Sequence, residues 1–156
     1  ASMKPEEMQE KAAGLFGARL HCSQAVLAVG QEKLGIKDEN LIRAMDAFGG
    51  GLDGQGETCG AVIGALAAIG LRFGRSKPGH EADIRMRECS HLFVRRFRDE
   101  VADGKILCRD IAGVDWRDPD QVKSFREGGG RDACQALVGK TAKILGEILE
   151  RSGGET

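Results

Sequence analysis

The chain has no excess of charge of either sign: 23 Lys and Arg stand against 24 Asp and Glu in 156 residues, a formal net charge of −1. The basic footprint of a nucleic-acid-binding surface is therefore missing, as is any block of like charge that would mark an interaction tail. A long hydrophobic run is missing too. The longest uncharged apolar stretch, Thr58 to Leu71, lies between Glu57 and Arg72 and falls short of the ~20 residues that span a bilayer, so membrane insertion is not expected. No charged-then-apolar leader opens the chain, and Ala1-Ser2 ahead of Met3 reads as an expression remnant; the expected location is the cytoplasm. Sustained period-two alternation is absent, which argues against strands, and there is no internal repeat, heptad pattern or low-complexity linker. None of the five cysteines sits in a C-x-x-C pair. That excludes the thioredoxin motif, the paired zinc knuckle and the C-x-x-C-H haem attachment, so any thiol chemistry has to be assembled by folding. No Ser-His-Asp constellation can be read from the three histidines; His80 falls in a turn, and His91, two residues from Cys89, points to another side of its helix.

What is present is helical periodicity broken by glycine and charged turns. The spacing predicts a helix from Lys4 to Phe16 with Pro5 in its first turn, a second from Cys22 to Leu34 stopped by Gly35, and a third from an Asp38 cap to Phe48. A fourth follows Cys59 on the stripe Val62, Ile63, Leu66, Ile69 and Phe73 and ends at Gly74. A long helix is expected from about Glu81 to Ala102, with Ile84, Cys89, Leu92, Phe93, Phe97 and Val101 facing inward. Short helices follow at Leu107 to Ala112 and from Asp118-Pro119 towards Arg126, and a last one at Asp132 to Arg151. The expected fold is all-α, a compact multi-helix bundle of about six to eight helices forming one domain over residues 4–151. Numerous apolar helices for the length make a homodimer a fair expectation.

The most informative segment is Gly49-Gly-Gly-Leu-Asp-Gly-Gln-Gly-Glu-Thr-Cys-Gly-Ala61, where a glycine-rich loop runs into an apolar helix. With Thr58 as N-cap, Cys59 would take the first helical position, where unpaired amides and the helix dipole favour a thiolate. Glycine loops that open helices also bind phosphate, and Gly51 to Thr58 even runs G-x-x-x-x-G-Glu-Thr. A nucleotide P-loop needs Lys where this chain has Glu57, and a carboxylate there repels the phosphates that Lys holds. The plain alternative is a flexible turn with a buried structural cysteine behind it. Glu57 would raise the Cys59 thiol pKa, but an exposed carboxylate is screened while the helix amides are fixed, so Cys59 is expected to be the most acidic thiol.

Cys22, Cys59, Cys108 and Cys134 each fall in the first turn of an expected helix, so four helix N-termini could converge. Such a cluster could exchange disulfides or ligate a soft metal. Cys89, with Leu92, Phe93 and Phe97 along the same helix, reads as core, and His21 beside Cys22 reads as a surface or capping histidine.

The segments Cys22-Ser-Gln-Ala-Val, Phe48-Gly-Gly-Gly, Gly56-Glu-Thr-Cys-Gly-Ala-Val-Ile-Gly64, Cys108-Arg-Asp-Ile-Ala-Gly113 and finally Cys134 resemble the C_GCAxxG_C_C family. Its marks are four cysteines and a Cys-Gly-Ala-x-x-Gly motif, which here is Cys59 to Gly64, and the similarity spans roughly Cys22 to Leu149. The resemblance implies a small, largely helical protein with a proposed redox role, often encoded near transporters, and no established substrate. By position it assigns the family cysteines to Cys22, Cys59, Cys108 and Cys134 and leaves Cys89 outside. Three function classes stay open. In the first, Cys59 attacks a disulfide of an unknown redox partner and another of the four cysteines resolves it. In the second, the four cysteines ligate an iron–sulfur cluster or another soft metal. In the third, the chain is a non-catalytic, transporter-associated helical binding module whose cysteines only pack.

Overall fold

A computed structural model describes residues 2–153; Ala1, read above as part of a remnant, lies outside them. Among the described residues there are eight α-helices and no β-strand. They are α1 (Pro5–Gly17), α2 (Cys22–Leu34), α3 (Glu39–Ala44), α4 (Gly60–Phe73), α5 (Ile84–Arg96), α6 (Cys108–Ala112), α7 (Pro119–Glu127) and α8 (Gly130–Gly153). A 3₁₀ turn, Asp46–Phe48, follows α3, and the glycine-rich segment Gly49–Leu52 is a tight turn rather than a helix, because Gly50 and Gly51 have left-handed φ of 68° each. The expected all-α architecture and most element positions hold.

Helix ends follow local chemistry. Asp38 accepts from the amides of Asn40 and Leu41, as expected of an N-cap, and Gly35 ends α2 at φ 74°. Asp118 caps α7 ahead of Pro119 in the same way. Several boundaries differ from expectation: α3 ends at Ala44 rather than Phe48, and α8 starts at Gly130 rather than Asp132. The long helix begins at Ile84, not Glu81, because Asp83 caps it by accepting from the Arg85 amide; Ile84 is then 63% exposed rather than inward. Its last turn, Phe97–Val101, widens into a π-helix, with Phe97 still fully buried.

Helix α8 is the spine: α1, α2, α4 and α5 all pack against it. The core between them holds Met8, Leu27, Ile69, Phe93, Phe97, Val138, Leu145 and Ile148, all almost completely buried. Each such side chain contributes about 1.5–3 kcal/mol by leaving water. Lys33, also buried, spends its charge inside this assembly: its Nζ donates to the Met3 carbonyl oxygen at 2.7 Å and meets Glu150 of α8 at 3.0 Å.

Helices α2 and α4 cross through small residues. A Cβ built on Gly64 would lie 2.4 Å from the Ser23 carbonyl oxygen, and one on Gly30 would lie 2.6 Å from the Ala68 Cβ. The last glycine of the Cys-Gly-Ala-x-x-Gly motif is thus the contact that lets α4 lie against the start of α2. Gly64→Ala gains up to about 1 kcal/mol of helix propensity. It forces a methyl group onto main chain that cannot swing aside, which costs about 1–3 kcal/mol in overpacking. We expect net destabilisation of about 1–2 kcal/mol, read as a lower urea midpoint at unchanged slope; an unchanged midpoint would show that the crossing adjusts freely.

Cys89 lies in this core, 3% exposed, and its S–H donates to the Ser152 hydroxyl at 3.0 Å. It stands apart from the other cysteines, as its helical neighbours imply. Cys89→Ala should cost about 1 kcal/mol of stability and leave thiol chemistry intact. Lost redox cycling in a folded Cys89→Ala protein would contradict that placement.

Candidate functional site

Cys22, Cys59, Cys108 and Cys134 line one cavity of about 340 Å³, and Cys89 does not. The wall is completed chiefly by Phe16, Trp116, Phe125, Leu137 and Val138, with Arg126, Arg131, His21 and Asp53 as its charged or titratable members. The convergence expected of the four cysteines therefore occurs, and all are free thiols.

Three pieces of backbone build it. The first is a main-chain staple. The Cys59 amide donates to the Ile106 carbonyl oxygen at 2.9 Å, the Cys108 amide to Glu57 at 2.6 Å and the Arg109 amide to Gly56 at 3.1 Å. Around these bonds Thr58 and Leu107 form an isolated antiparallel bridge. Two segments almost fifty residues apart are thereby held side by side, with one cysteine at the end of each. Outside the cavity the Arg109 guanidinium meets the Glu57 carboxylate at 2.9 Å and closes the staple.

The second piece is the glycine turn. Left-handed φ at Gly50, Gly51, Leu52 and Asp53 folds it back on itself, and the Glu57 amide donates to the Gly51 carbonyl oxygen at 3.0 Å. A Cβ on Gly51 would lie 2.8 Å from the Cys108 Cβ, so a larger residue would push Cys108 away. The third is the motif glycine after Cys59. A Cβ on Gly60 would meet the Phe48 carbonyl oxygen at 2.5 Å and the Cys22 Sγ at 2.7 Å. Gly60 is small because the sulfur of Cys22 and the main chain before the turn both press on it.

The helix-start placements need two corrections. Cys59 is itself the N-cap of α4, with Gly60 at the first helical position; Thr58 is taken by its bridge to Leu107 and caps nothing. Cys134 is the fifth residue of α8, because the helix starts at Gly130 rather than Asp132, and it lies past the first turn. Cys22 and Cys108 do open α2 and α6. His21 is the N-cap residue of α2, its amide donating to Gln24 Oε1 at 3.1 Å, and its imidazole Nε2 stands 3.5 Å from an Asp46 carboxylate oxygen.

The expected acidity of Cys59 is also corrected. Its residue is only 6% exposed. Burial pushes the thiol far above its ordinary value, the proximity of Cys22 pushes it further, and the amides of Ala61 and Val62 only partly oppose them. Desolvation outweighs the helix terminus because a thiolate in an apolar wall loses its water while gaining only two amide contacts. Burial is likewise the leading cause that raises Cys22, Cys108 and Cys134. Cys134 is pushed up to about 11, with Cys108 and Cys22 adding to burial and the Arg131 charge opposing it. Cys108 alone among the four has a side-chain donor: Trp116 Nε1–H points at its sulfur at 3.3 Å and counters the burial. The lone tryptophan of the chain is the cavity residue that the sequence patterns do not mark. No spacing signal could have found it, since its contact depends on the turn after α6.

The four thiols could in principle serve as ligands. Among the described residues, however, no three His, Cys, Asp or Glu side chains come together in an arrangement that holds a metal ion. In this arrangement the described side chains do not fit an iron–sulfur cluster or soft metal. Among the described residues, no helix is long and apolar enough to cross a membrane.

The family model described as "Putative redox-active protein (C_GCAxxG_C_C)" matches residues 20–148. No curated protein and no solved structure matches the chain. The matched span runs from just before Cys22 to beyond Cys134 and covers most of the chain, so the chain belongs to the C_GCAxxG_C_C family.

Proposed function

We propose that the protein carries out thiol–disulfide exchange in the four-cysteine cavity, with Cys108 as attacking thiol and Cys22 as resolving thiol. The observation that carries this reading is the convergence of four free thiols, from four separate segments, on one cavity with a single indole N–H aimed at one of them. Cysteines that only pack would not need that donor.

Cys108 is half-accessible, and its thiolate is the one stabilised by a fixed side-chain donor. It attacks one sulfur of a disulfide R–S–S–R′, forming a mixed disulfide and expelling R′S⁻, which takes up the proton that Cys108 lost. Cys22, across the glycine turn, then attacks the Cys108 sulfur and releases RSH. Two protein thiols become one disulfide, and their two electrons and two protons leave with the two product thiols. Run backwards, the same steps oxidise a dithiol partner. Cys59 and Cys134 share the cavity, and further disulfide formation can pass through them.

The test is to mix the anaerobically reduced protein with a small disulfide and follow free thiols, Trp116 fluorescence and peptide masses. We expect two thiols to disappear together, a Cys22–Cys108 link by mass spectrometry, and reversal by a dithiol reductant. A protein that keeps all five thiols, or one that links through Cys89, overturns the reading. Co-purifying iron bound by the four cysteines would favour the ligand reading instead.

A further inference from the structure

We propose that the cavity is built for a small carboxylate-bearing disulfide, with Arg126 and Arg131 as the residues that select it. This inference rests on the thiol-exchange reading and adds the class of substrate. Three observations carry it.

The first is shape. The thiols line a concave site of about 340 Å³, the low end of the ~300–1,000 Å³ typical of small-molecule sites. A folded protein substrate presents its disulfide on a broad surface and needs about 800 Å² of matching area on each partner. Thiols set in the wall of a concavity suit a molecule that enters it.

The second is the lining. Phe16, Phe125, Leu137 and Val138 offer an apolar wall to the methylene arms of such a molecule.

The third is charge. Arg126 lines the cavity, is exposed, and forms no hydrogen bond or ion pair among the described residues. Arg131 is held in place: its Cζ lies 4.4 Å from the centre of the Phe16 ring, and one amino group donates to the Phe16 carbonyl oxygen at 2.9 Å. That single bond leaves most of its N–H fork free. Asp53 is the one carboxylate in the lining, so the two guanidinium groups leave an excess of positive charge. The guanidinium of Arg126 and the unbonded N–H groups of Arg131 beside an apolar wall suit a carboxylate, which Arg binds in bidentate fashion. An ammonium-bearing disulfide meets repulsion at the same place.

The experiment compares three disulfides with the same two-carbon arms and different ends: 3,3′-dithiodipropionate (anionic), bis(2-hydroxyethyl) disulfide (neutral) and cystamine (cationic). Each oxidises the reduced protein under identical conditions, and rates are divided by those for the urea-unfolded chain to remove intrinsic reactivity. Dithiodipropionate should exceed cystamine by about tenfold or more, the range of one or two charge-assisted hydrogen bonds, and Arg126→Gln with Arg131→Gln should bring the ratio close to one. Suberate matches dithiodipropionate in chain length but carries no sulfur. It should slow alkylation of Cys108 by iodoacetamide in the native protein and not in the double variant, a readout that needs no redox turnover.

If the neutral or cationic disulfide is at least as fast as the anionic one, or if the ratio survives loss of both arginines, the inference falls and thiol exchange stands. A thioredoxin-type protein disulfide that outpaces all three small ones overturns it equally. If no disulfide oxidises the protein, the exchange reading itself fails, and protection by suberate alone would then show an anion site without redox function.

Discussion

Replacing Cys108 by serine should slow oxidation of the reduced protein by small disulfides by on the order of a hundredfold. Part of the loss follows from acidity. With Cys108 gone, attack has to come from a thiol such as Cys134, pushed up to about 11 from an ordinary value of 9.0. Cys108 is raised as well, but its indole donor counters the burial and Cys134 has no such donor, so less of the substitute thiol is ionised at neutral pH. The rest comes from access, since Cys59 is 6% exposed and Cys22 is pressed against Gly60. Trp116→Phe is the companion variant. It keeps an aromatic body against Phe125, whose ring centre lies 4.9 Å away, but removes the N–H aimed at Cys108. Its rate-against-pH profile should move to higher pH at little change in the plateau, which simple loosening of the turn would not do. A Cys108→Ser protein that reacts at the native rate would transfer the attacking role to another thiol.

The choice of Cys108 over Cys59 shows where sequence reasoning reached and where it stopped. Four cysteines near helix starts were visible in the spacing, and so was the exclusion of Cys89 by its apolar helix face. Missing from the spacing was depth. Whether a thiol at a helix start is activated depends on whether water also reaches it, and Cys59, 6% exposed, is cut off from water. The main-chain staple between residues 56–59 and 106–109 was equally invisible, because a single β-bridge leaves no periodicity. The same bridge explains why Thr58, a good N-cap by type, does not cap.

The fold was easier to read, for a physical reason. Its helices are separated by residues with local meaning, such as Asp38, Gly35, Asp118 and Pro119, so boundaries could be placed without knowledge of neighbours. Where a boundary moved at Asp83, the cap that set it was one local choice among several. The glycines at positions 60 and 64 carried more than the sequence disclosed. They read as parts of a motif, yet each is a contact, one to a sulfur and main chain and one to the backbone of α2. The motif thus encodes both the α2–α4 crossing and the seat of Cys22.

The raised thiols have a consequence for stability that runs opposite to that of most carboxylates. A thiol whose folded pKa lies above its unfolded value holds its proton longer in the native state, so over the interval between the two values the native state binds more protons. Stability is therefore fully present below about pH 9, the ordinary thiol value, and is lost as pH rises through the folded pKa. For Cys134, raised to about 11, the loss at pH 10.5 is about 2 kcal/mol, at 1.36 kcal/mol per unit of pKa difference. Cys22, Cys59 and Cys108 are raised as well, and none can lose more than about 2 kcal/mol over the same 1.5 pH units. All four act in the same direction, so their losses accumulate above pH 9 in a domain that has only ~5–15 kcal/mol of stability. The chain has no tyrosine, so no phenol titrates in the same window to obscure the effect. Urea unfolding in a reductant, repeated from pH 8 to pH 10.5, should show the midpoint falling steeply above pH 9. In Cys134→Ala the fall over that interval should be smaller by about 2 kcal/mol, whatever the variant's stability at pH 8. A wild-type midpoint that stays level, or an equal fall in the variant, would mean that these thiols reach water in the native state and that the cavity is wetter than its lining implies.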